Sequence, residues 1–223
     1  MFDQKLRRTL AISLMAFPVL AIIAFLLHFH SLHGFFNFYW TRPPYHAEGL
    51  FNALTSGSHG HGFIIAHVFV YCSVPFLLLT TLVLSWYLLK TSPIAALIGG
   101  ALGIIGSLSM AGVISSWLSF AAVGHVEPQY YDGARAALIE LTNMQGILHA
   151  NTLLSYLIFV SLIILAAGLW IGKQFPPLNM ALIILGSLLF IKFMDMDNWM
   201  LIATILIFWG LAPVIRRLFG ERR

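Results

Sequence analysis

The sequence predicts an all-α integral membrane protein: a bundle of six transmembrane helices with its N- and C-termini in the cytoplasm. Three observations predict this fold class, namely the composition, the lengths of the apolar segments and the distribution of basic residues. Of the 223 residues, 60% are hydrophobic and 9% are charged, whereas a soluble domain carries roughly 25% charged residues. Because so apolar a chain cannot cover a water-facing surface, we expect its solvent to be a lipid bilayer.

Six apolar segments approach the length that a membrane-spanning helix needs, which is about 20 residues. They cover about residues 9–27, 62–89, 94–123, 145–171, 178–194 and 199–214. The fifth is short and carries Lys192 near its end, so a fusion of the fifth and sixth into one re-entrant hairpin stays open. We expect residues 1–223 to form a single transmembrane domain, because the chain shows no internal repeat, low-complexity segment or separate soluble domain.

The basic residues predict the orientation. With the N-terminus inside, three of the 12 Lys and Arg residues fall outside: Arg42, Arg135 and Lys192. The other nine fall on the cytoplasmic side: Lys5, Arg7, Arg8, Lys90, Lys173, Arg216, Arg217, Arg222 and Arg223. Lys and Arg concentrate in cytoplasmic segments, so this split predicts cytoplasmic termini and accounts for the net charge of +4 without a nucleic-acid partner. We expect the plasma membrane of a bacterium or an archaeon.

The outer connections are longer than the cytoplasmic ones. The second long connection contains a stretch from Gly133 to Leu141 that predicts a short helix leading into the fourth span. The first contains an aromatic cluster suited to the headgroup level: Phe35, Phe36, Phe38, Tyr39 and Trp40. Because long loops in compact folds are more often functional, we expect the chemistry at the outer face.

The third span carries a ridge of small residues at every fourth position: Gly99, Gly103, Ser107, Ala111 and Ser115. Such a ridge lets helix backbones approach closely in lipid. We favour a buried central helix, with a groove for a flat cofactor or substrate as the alternative.

All nine histidines fall in the outer loops or the outer halves of the first four helices. Imidazole is the commonest metal ligand, and ionisable side chains within a membrane face a partner, a cavity or a cofactor. His67 and His149 are the deepest, with His67 roughly 7 Å below the start of its helix. Because bis-imidazole haem takes one axial ligand from each face of the iron, these two are predicted haem ligands. Gln145 is predicted to hydrogen-bond the ring of His149.

A cluster of histidines at the mouth of the second helix favours a copper, iron or zinc ion instead. The predicted metal ligands are His59, His61, His67 and His149. Three carboxylates are candidates to complete the coordination: Glu48, Asp195 and Asp197. Three histidines at the end of the first helix are weaker candidates for the same mouth: His28, His30 and His33. Interfacial or interior hydrogen bonding is the alternative role for each histidine.

The histidine pattern is loosely similar to that of membrane haem-b and haem–copper proteins over two short stretches. These are HGHGFIIAH at residues 59–67 and ILHAN at residues 147–151. The likeness carries no residue role across. The HxxxH and HxxHH boxes of membrane di-iron hydroxylases do not occur, which lowers that option.

The resulting hypothesis is a multi-pass membrane protein that binds haem b or a transition metal ion through outer-face histidines and serves as a redox component in electron transfer. Its expected partners are the lipid bilayer and either a quinone or other membrane subunits. Two alternatives stay open: a non-catalytic subunit of a larger membrane complex, and a carrier of a metal ion or a small molecule. The sequence identifies no catalytic residue and does not decide whether the protein is an enzyme.

Overall fold

The apolar segments form helices in the computed structural model of the chain, which describes residues 3–28, 36, 38–40, 47–55, 58–142, 146–194 and 196–220. This part contains nine α-helices: α1 (Gln4–His28), α2 (Ala47–Thr55), α3 (Ser58–Leu88), α4 (Pro93–Phe120), α5 (Tyr131–Thr142), α6 (Gly146–Ser155), α7 (Leu157–Ile171), α8 (Pro177–Phe193) and α9 (Asp197–Phe219). Two short 3-10 turns, Ala121–His125 and Pro128–Tyr130, follow α4. No strand occurs among the described residues, so the predicted all-α class is confirmed for them.

Five helical segments are long and apolar enough to cross a membrane: Gln4–His28, Gly62–Leu88, Pro93–His125, Leu148–Ile171 and Asp197–Phe219. The chain is therefore a multi-pass membrane protein. Helix α8 is also apolar but has 17 residues. At 1.5 Å per residue it is about 25 Å long, somewhat shorter than the bilayer hydrocarbon core of about 30 Å.

The apolar helices pack in chain order around a ring. Helix α1 packs on α3, α3 on α4, and α4 on the segment made of α6 and α7. Helix α7 then packs on α8, α8 on α9, and α9 returns to α1 and closes the ring. The core that they enclose includes five fully buried side chains: Leu14, Leu84, Leu165, Ile183 and Ile207.

Helix α4 approaches its neighbours closely because glycine and serine line its inner face. A methyl group on Gly106 would lie 2.2 Å from the backbone nitrogen of Ile158 in α7. Nearby, Oγ of Ser161 donates a hydrogen bond of 2.6 Å to the carbonyl oxygen of Gly99. The packing interpretation of the small-residue ridge is therefore confirmed at Gly99, whereas Ser115 at the other end of the ridge is exposed.

The fourth apolar segment is divided into α6 and α7, whereas the sequence pattern predicts one helix. Helix α6 ends at Ser155 and α7 begins at Leu157. Beside the break, the amide of Phe159 donates to the carbonyl of Tyr156 at 3.0 Å, a contact over three residues instead of four. Oγ of Ser155 donates to the carbonyl of Thr152 at 2.7 Å, and such back-bonding bends helices.

One end of the bundle gathers both described ends of the chain and two tight turns. The Arg7 guanidinium donates a hydrogen bond to the carbonyl of Arg217, which joins the start of α1 to the end of α9. The side-chain amide of Gln174 donates a hydrogen bond of 2.6 Å to the Thr91 hydroxyl, which joins the α7–α8 turn to the α3–α4 turn. We call this the basic end, after the cations of these segments: Arg7, Lys90, Lys173, Arg216 and Arg217.

The opposite end contains the α8–α9 turn and the end of α1, which meet through His28 and Asp197. Helix α8 therefore runs the whole way from the basic end to this one. The Phe193 ring stacks on Trp199 with ring centres 4.5 Å apart, and Nε1 of Trp199 donates to the carbonyl of Tyr39 at 2.8 Å. Part of the predicted aromatic cluster thus packs on this turn.

The two long connections form a small helical cap with a core of its own. Helix α2 packs against α5 and against the 3-10 turn that follows α4. Phe51, Leu54, Phe120 and Leu138 are buried between them, and the Arg135 guanidinium lies over the Phe51 ring at 5.1 Å. The short helix predicted in the second long connection is confirmed as α5.

Candidate functional site

Two histidines and an aspartate meet where α1 ends and α9 begins. We call His28, His67 and Asp197 the His–Asp cluster. Nδ1 of His28 lies 3.0 Å from Oδ1 of Asp197. The ring centres of His28 and His67 are 5.1 Å apart, with an angle of 65° between the ring planes. The side chains of His28 and Asp197 are 18% and 33% exposed, so the cluster is reachable from the end of the bundle opposite the basic end.

Helix ends hold the contact between His28 and Asp197. His28 is the last residue of α1, and Asp197 is the first residue of α9. The C-terminus of a helix favours a positive side chain and the N-terminus a negative one, each by about 0.3–1 kcal/mol. Both helix dipoles therefore favour a hydrogen bond in which the Nδ1–H group of His28 donates to the Asp197 carboxylate.

His67 is held by its own helix and by α4. Its Nδ1 lies 2.8 Å from the carbonyl oxygen of Phe63, one turn earlier in α3. Because a carbonyl oxygen only accepts hydrogen bonds, Nδ1 of His67 carries the hydrogen. The ring centre of His67 lies 4.0 Å from that of Phe63 and 6.3 Å from that of Trp117. These rings restrict the orientation of the imidazole.

Both imidazoles of the cluster therefore use Nδ1 for a hydrogen bond. In the described part of the chain, Nε2 of His28 and Nε2 of His67 have no hydrogen-bond partner, and each keeps a lone pair when its ring is neutral. Metal-bound histidines show this arrangement, in which the second ring nitrogen donates to a carboxylate or to a backbone carbonyl. The two side chains present thus fit a pair of imidazole ligands.

The ring separation distinguishes a metal ion from a haem between these two histidines. With metal–nitrogen bonds of about 2.0–2.1 Å and roughly 1.1 Å from nitrogen to ring centre, two imidazoles on a tetrahedral ion have ring centres roughly 5 Å apart. On opposite faces of a haem iron the same bonds give a separation of roughly 6.3 Å. The observed 5.1 Å is too short for a haem between His28 and His67; it equals the separation on a shared ion and is also an ordinary edge-to-face ring contact.

No protein-family model, curated protein or solved structure matches this chain. The chemistry of the cluster is therefore argued from its own geometry. Among the described residues, no group of three or more His, Cys, Asp and Glu side chains is arranged to hold a metal ion. Within that part of the chain, two imidazoles, those of His28 and His67, lie in contact, and Asp197 hydrogen-bonds His28.

The other histidines that the sequence predicts as ligands lie elsewhere or outside the described part. His149 lies on α6 with an exposed side chain, and no ring contact joins it to His67 among the described residues. His59 and His61 lie in the first turn of α3, but their side chains are outside the description, and so is Gln145. Further sequence candidates are outside it as well: His30, His33, Asp195 and the side chain of Glu48.

His28 contacts His67 in the structure, whereas the sequence pattern made it one of the weaker ligand candidates. The spacing of the three histidines at the end of the first helix places no two of them on one helical face, which made them weak candidates. The positions of two helix ends are a better indication of the contact. His28 ends α1 and Asp197 begins α9, both at the end of the bundle opposite the basic end. That indication becomes useful only once α1 and α9 are known to be neighbours.

Proposed function

We propose that this chain is a six-span protein of a bacterial or archaeal plasma membrane, with both termini in the cytoplasm, that binds a transition metal ion at its outer face. We further propose that it serves as a redox component there. One observation carries the metal site: a carboxylate holds Nδ1 of His28 and a carbonyl holds Nδ1 of His67, which leaves Nε2 of each for an ion.

The number of crossings is supported by the position of the chain ends. The hydrogen bond between Arg7 and Arg217 joins the start of α1 to the end of α9, and ends on one side of a membrane require an even number of crossings. Five long helices alone would give an odd number, so α8 supplies the sixth. A span of its length is accommodated by local thinning of the bilayer at modest cost. The cations of the basic end support its cytoplasmic location.

The identity of the ion determines what the site does. Imidazole suits copper, iron and zinc, of which copper and iron carry an electron and zinc does not. A redox-active ion here would exchange electrons with a quinone, a periplasmic partner or another membrane subunit. We propose that His59 and His61, which begin the helix that carries His67, supply further ligands. Haem b held by His67 and His149, with Gln145 beside His149, is the alternative cofactor arrangement.

The test is metal analysis together with an absorption spectrum of protein purified in mild detergent. We expect nearly stoichiometric copper or iron in the wild type. The metal should be lost in His28→Ala and in His67→Ala, because each removes one of the two imidazoles. His125→Ala is the matched control, since His125 is an exposed histidine of the outer connection and should keep the metal. A Soret band that disappears in His149→Ala would favour haem instead.

Other outcomes contradict the proposal in different ways. Colourless, metal-free protein with an intact helical spectrum would overturn the metal site, and co-purifying membrane chains would then favour the subunit hypothesis. Bound zinc alone would keep the site and overturn the redox role. Equal metal loss in His125→Ala would indicate adventitious binding at the surface.

A further inference from the structure

A groove lies at the basic end, between the end of α7 and the start of α8. Its volume is about 820 Å³, within the range of roughly 300–1,000 Å³ that small-molecule sites have. Its walls are mainly apolar and include Ala167, Trp170, Ile171 and Ile184. Lys173 supplies the charged group of the lining.

The groove lies at the boundary of the membrane, because it joins the ends of two apolar helices. Trp170, Ile171 and Leu178 beside it are 45%, 82% and 70% exposed. In a membrane protein, acyl chains and not water cover such side chains, and tryptophan is typical of the headgroup level. An occupant of the groove must therefore be apolar over most of its length.

Lys173 occupies a backbone position that glycine usually takes. Its φ is 52°. The backbone amide of Gln174 donates a hydrogen bond of 3.0 Å to the carbonyl of Leu169, which is the wider-spanning hydrogen bond of a Schellman helix end. Helix α9 ends in the same left-handed conformation with Gly220, at φ 91°. A lysine is strained in this conformation and a glycine is not. The strain points to a role for the Lys173 ammonium.

Other cations lie near Phe175, a residue of the groove lining. The Arg217 guanidinium lies 5.4 Å from the centre of the Phe175 ring, and Phe175 lines the groove two residues after Lys173. Arg7 donates to the carbonyl of Arg217. Asp3 is the acidic residue among the described residues of this end. Its carboxylate accepts a hydrogen bond of 2.7 Å from the backbone amide of Leu6, in the first turn of α1. The net field at the mouth attracts an anionic headgroup.

We propose that this groove binds one anionic phospholipid. An acyl chain lies along Trp170 and Ile184, and the phosphate lies beside the Lys173 ammonium, a common phosphate partner. The apolar walls account for the chain, and the cations account for the charge of the headgroup. A zwitterionic lipid fits less well, because its trimethylammonium group would meet the same cations.

The experiment uses the full-length protein in nanodiscs with equal amounts of phosphatidylglycerol and phosphatidylcholine. After gentle extraction, the lipids that stay bound are counted by native mass spectrometry. The wild type should retain one phosphatidylglycerol in preference to phosphatidylcholine. Lys173→Gln should lower that preference about fivefold, the usual contribution of one lysine near anionic lipid. Lys173→Arg should keep it, and Lys90→Gln, which removes a cation of the same end outside the groove lining, should leave it unchanged.

A second variant tests the apolar walls. Ala167→Phe fills the groove and should reduce retention of both lipids while the helical circular dichroism spectrum is unchanged. Equal retention of the two lipids by the wild type, an equal loss of preference in Lys90→Gln, or normal retention in Ala167→Phe would each overturn the proposal. If Ala167→Phe does not fold, the comparison of Lys173→Gln with Lys90→Gln decides alone.

Discussion

Gly106 provides a direct test of the packing of α4 against α7. A methyl group on Gly106 would lie 2.2 Å from the backbone nitrogen of Ile158, and its next neighbours in α7, at 2.8 and 2.9 Å, belong to the same residue. The two nearest atoms are backbone atoms, so no change of rotamer relieves the clash. The Gly106→Ala variant must move α4 away from α7 by roughly 1 Å to reach ordinary contact distances.

We expect this substitution to cost about 1–3 kcal/mol, the usual penalty for overpacking a tight interface. For a chain of this size that corresponds to a fall of roughly 3–10 °C in the thermal unfolding midpoint. The assay is thermal unfolding of monodisperse protein in one detergent, followed by circular dichroism. Gly133→Ala is the matched control, because Gly133 lies in α5 with nothing within 4 Å of the added methyl group. Its midpoint should stay or rise slightly, since alanine is the better helix former.

The result that would refute the reasoning is equal stability of the two variants. It would mean that α4 and α7 are not in backbone contact at Gly106. The close approach of α4 to α7 at this level of the bundle would then be wrong.

Three further predictions follow from polar contacts at the two ends. Asp197→Asn should weaken metal binding about 10–100-fold in chelator competition, because it disturbs the partner that orients a histidine ligand. Glu140→Gln on the exposed side of the cap should leave the metal affinity unchanged, and equal affinities of the two variants would contradict the proposed role of Asp197. Lys173→Gly should stabilise the protein by about 1 kcal/mol through relief of its left-handed backbone, and a lower unfolding midpoint would contradict this. Arg217→Gln should lower the free energy of unfolding by about 1 kcal/mol, because Arg217 contacts two aromatic rings. Arg216→Gln is the control and should leave the unfolding midpoint unchanged; similar midpoints of the two variants would count against the ring contacts.

Hydropathy alone predicts most of the secondary structure, because a lipid-facing helix must be apolar along its whole length. The long apolar helices and the short α5 were predicted on this basis. The break at Tyr156 was not, since the surrounding residues are as apolar as the rest of the segment. It depends on local hydrogen bonds of Thr152 and Ser155, side chains that are common within unbroken helices as well.

The candidate site was only partly predictable for a different reason. The sequence pattern identified His67 as one of the two deepest histidines and named Asp197 as a carboxylate that could complete the same site. It paired His67 with His149 because both have a similar depth, and depth says nothing about which helices are neighbours. The contact of His28 with His67 joins α1 to α3, whereas the contact of His28 with Asp197 depends on the closure of the ring between α1 and α9, a long-range contact that no periodicity encodes.

The closure of this ring has a consequence for biosynthesis. Helices that pack in chain order can each dock onto a neighbour that has already been made, whereas α1 must wait until α9 has been made. Until then, His28 has no Asp197 to orient it. The His–Asp cluster is therefore completed only after α9 has been made, so any ion that it bound would meet the complete cluster only after that step.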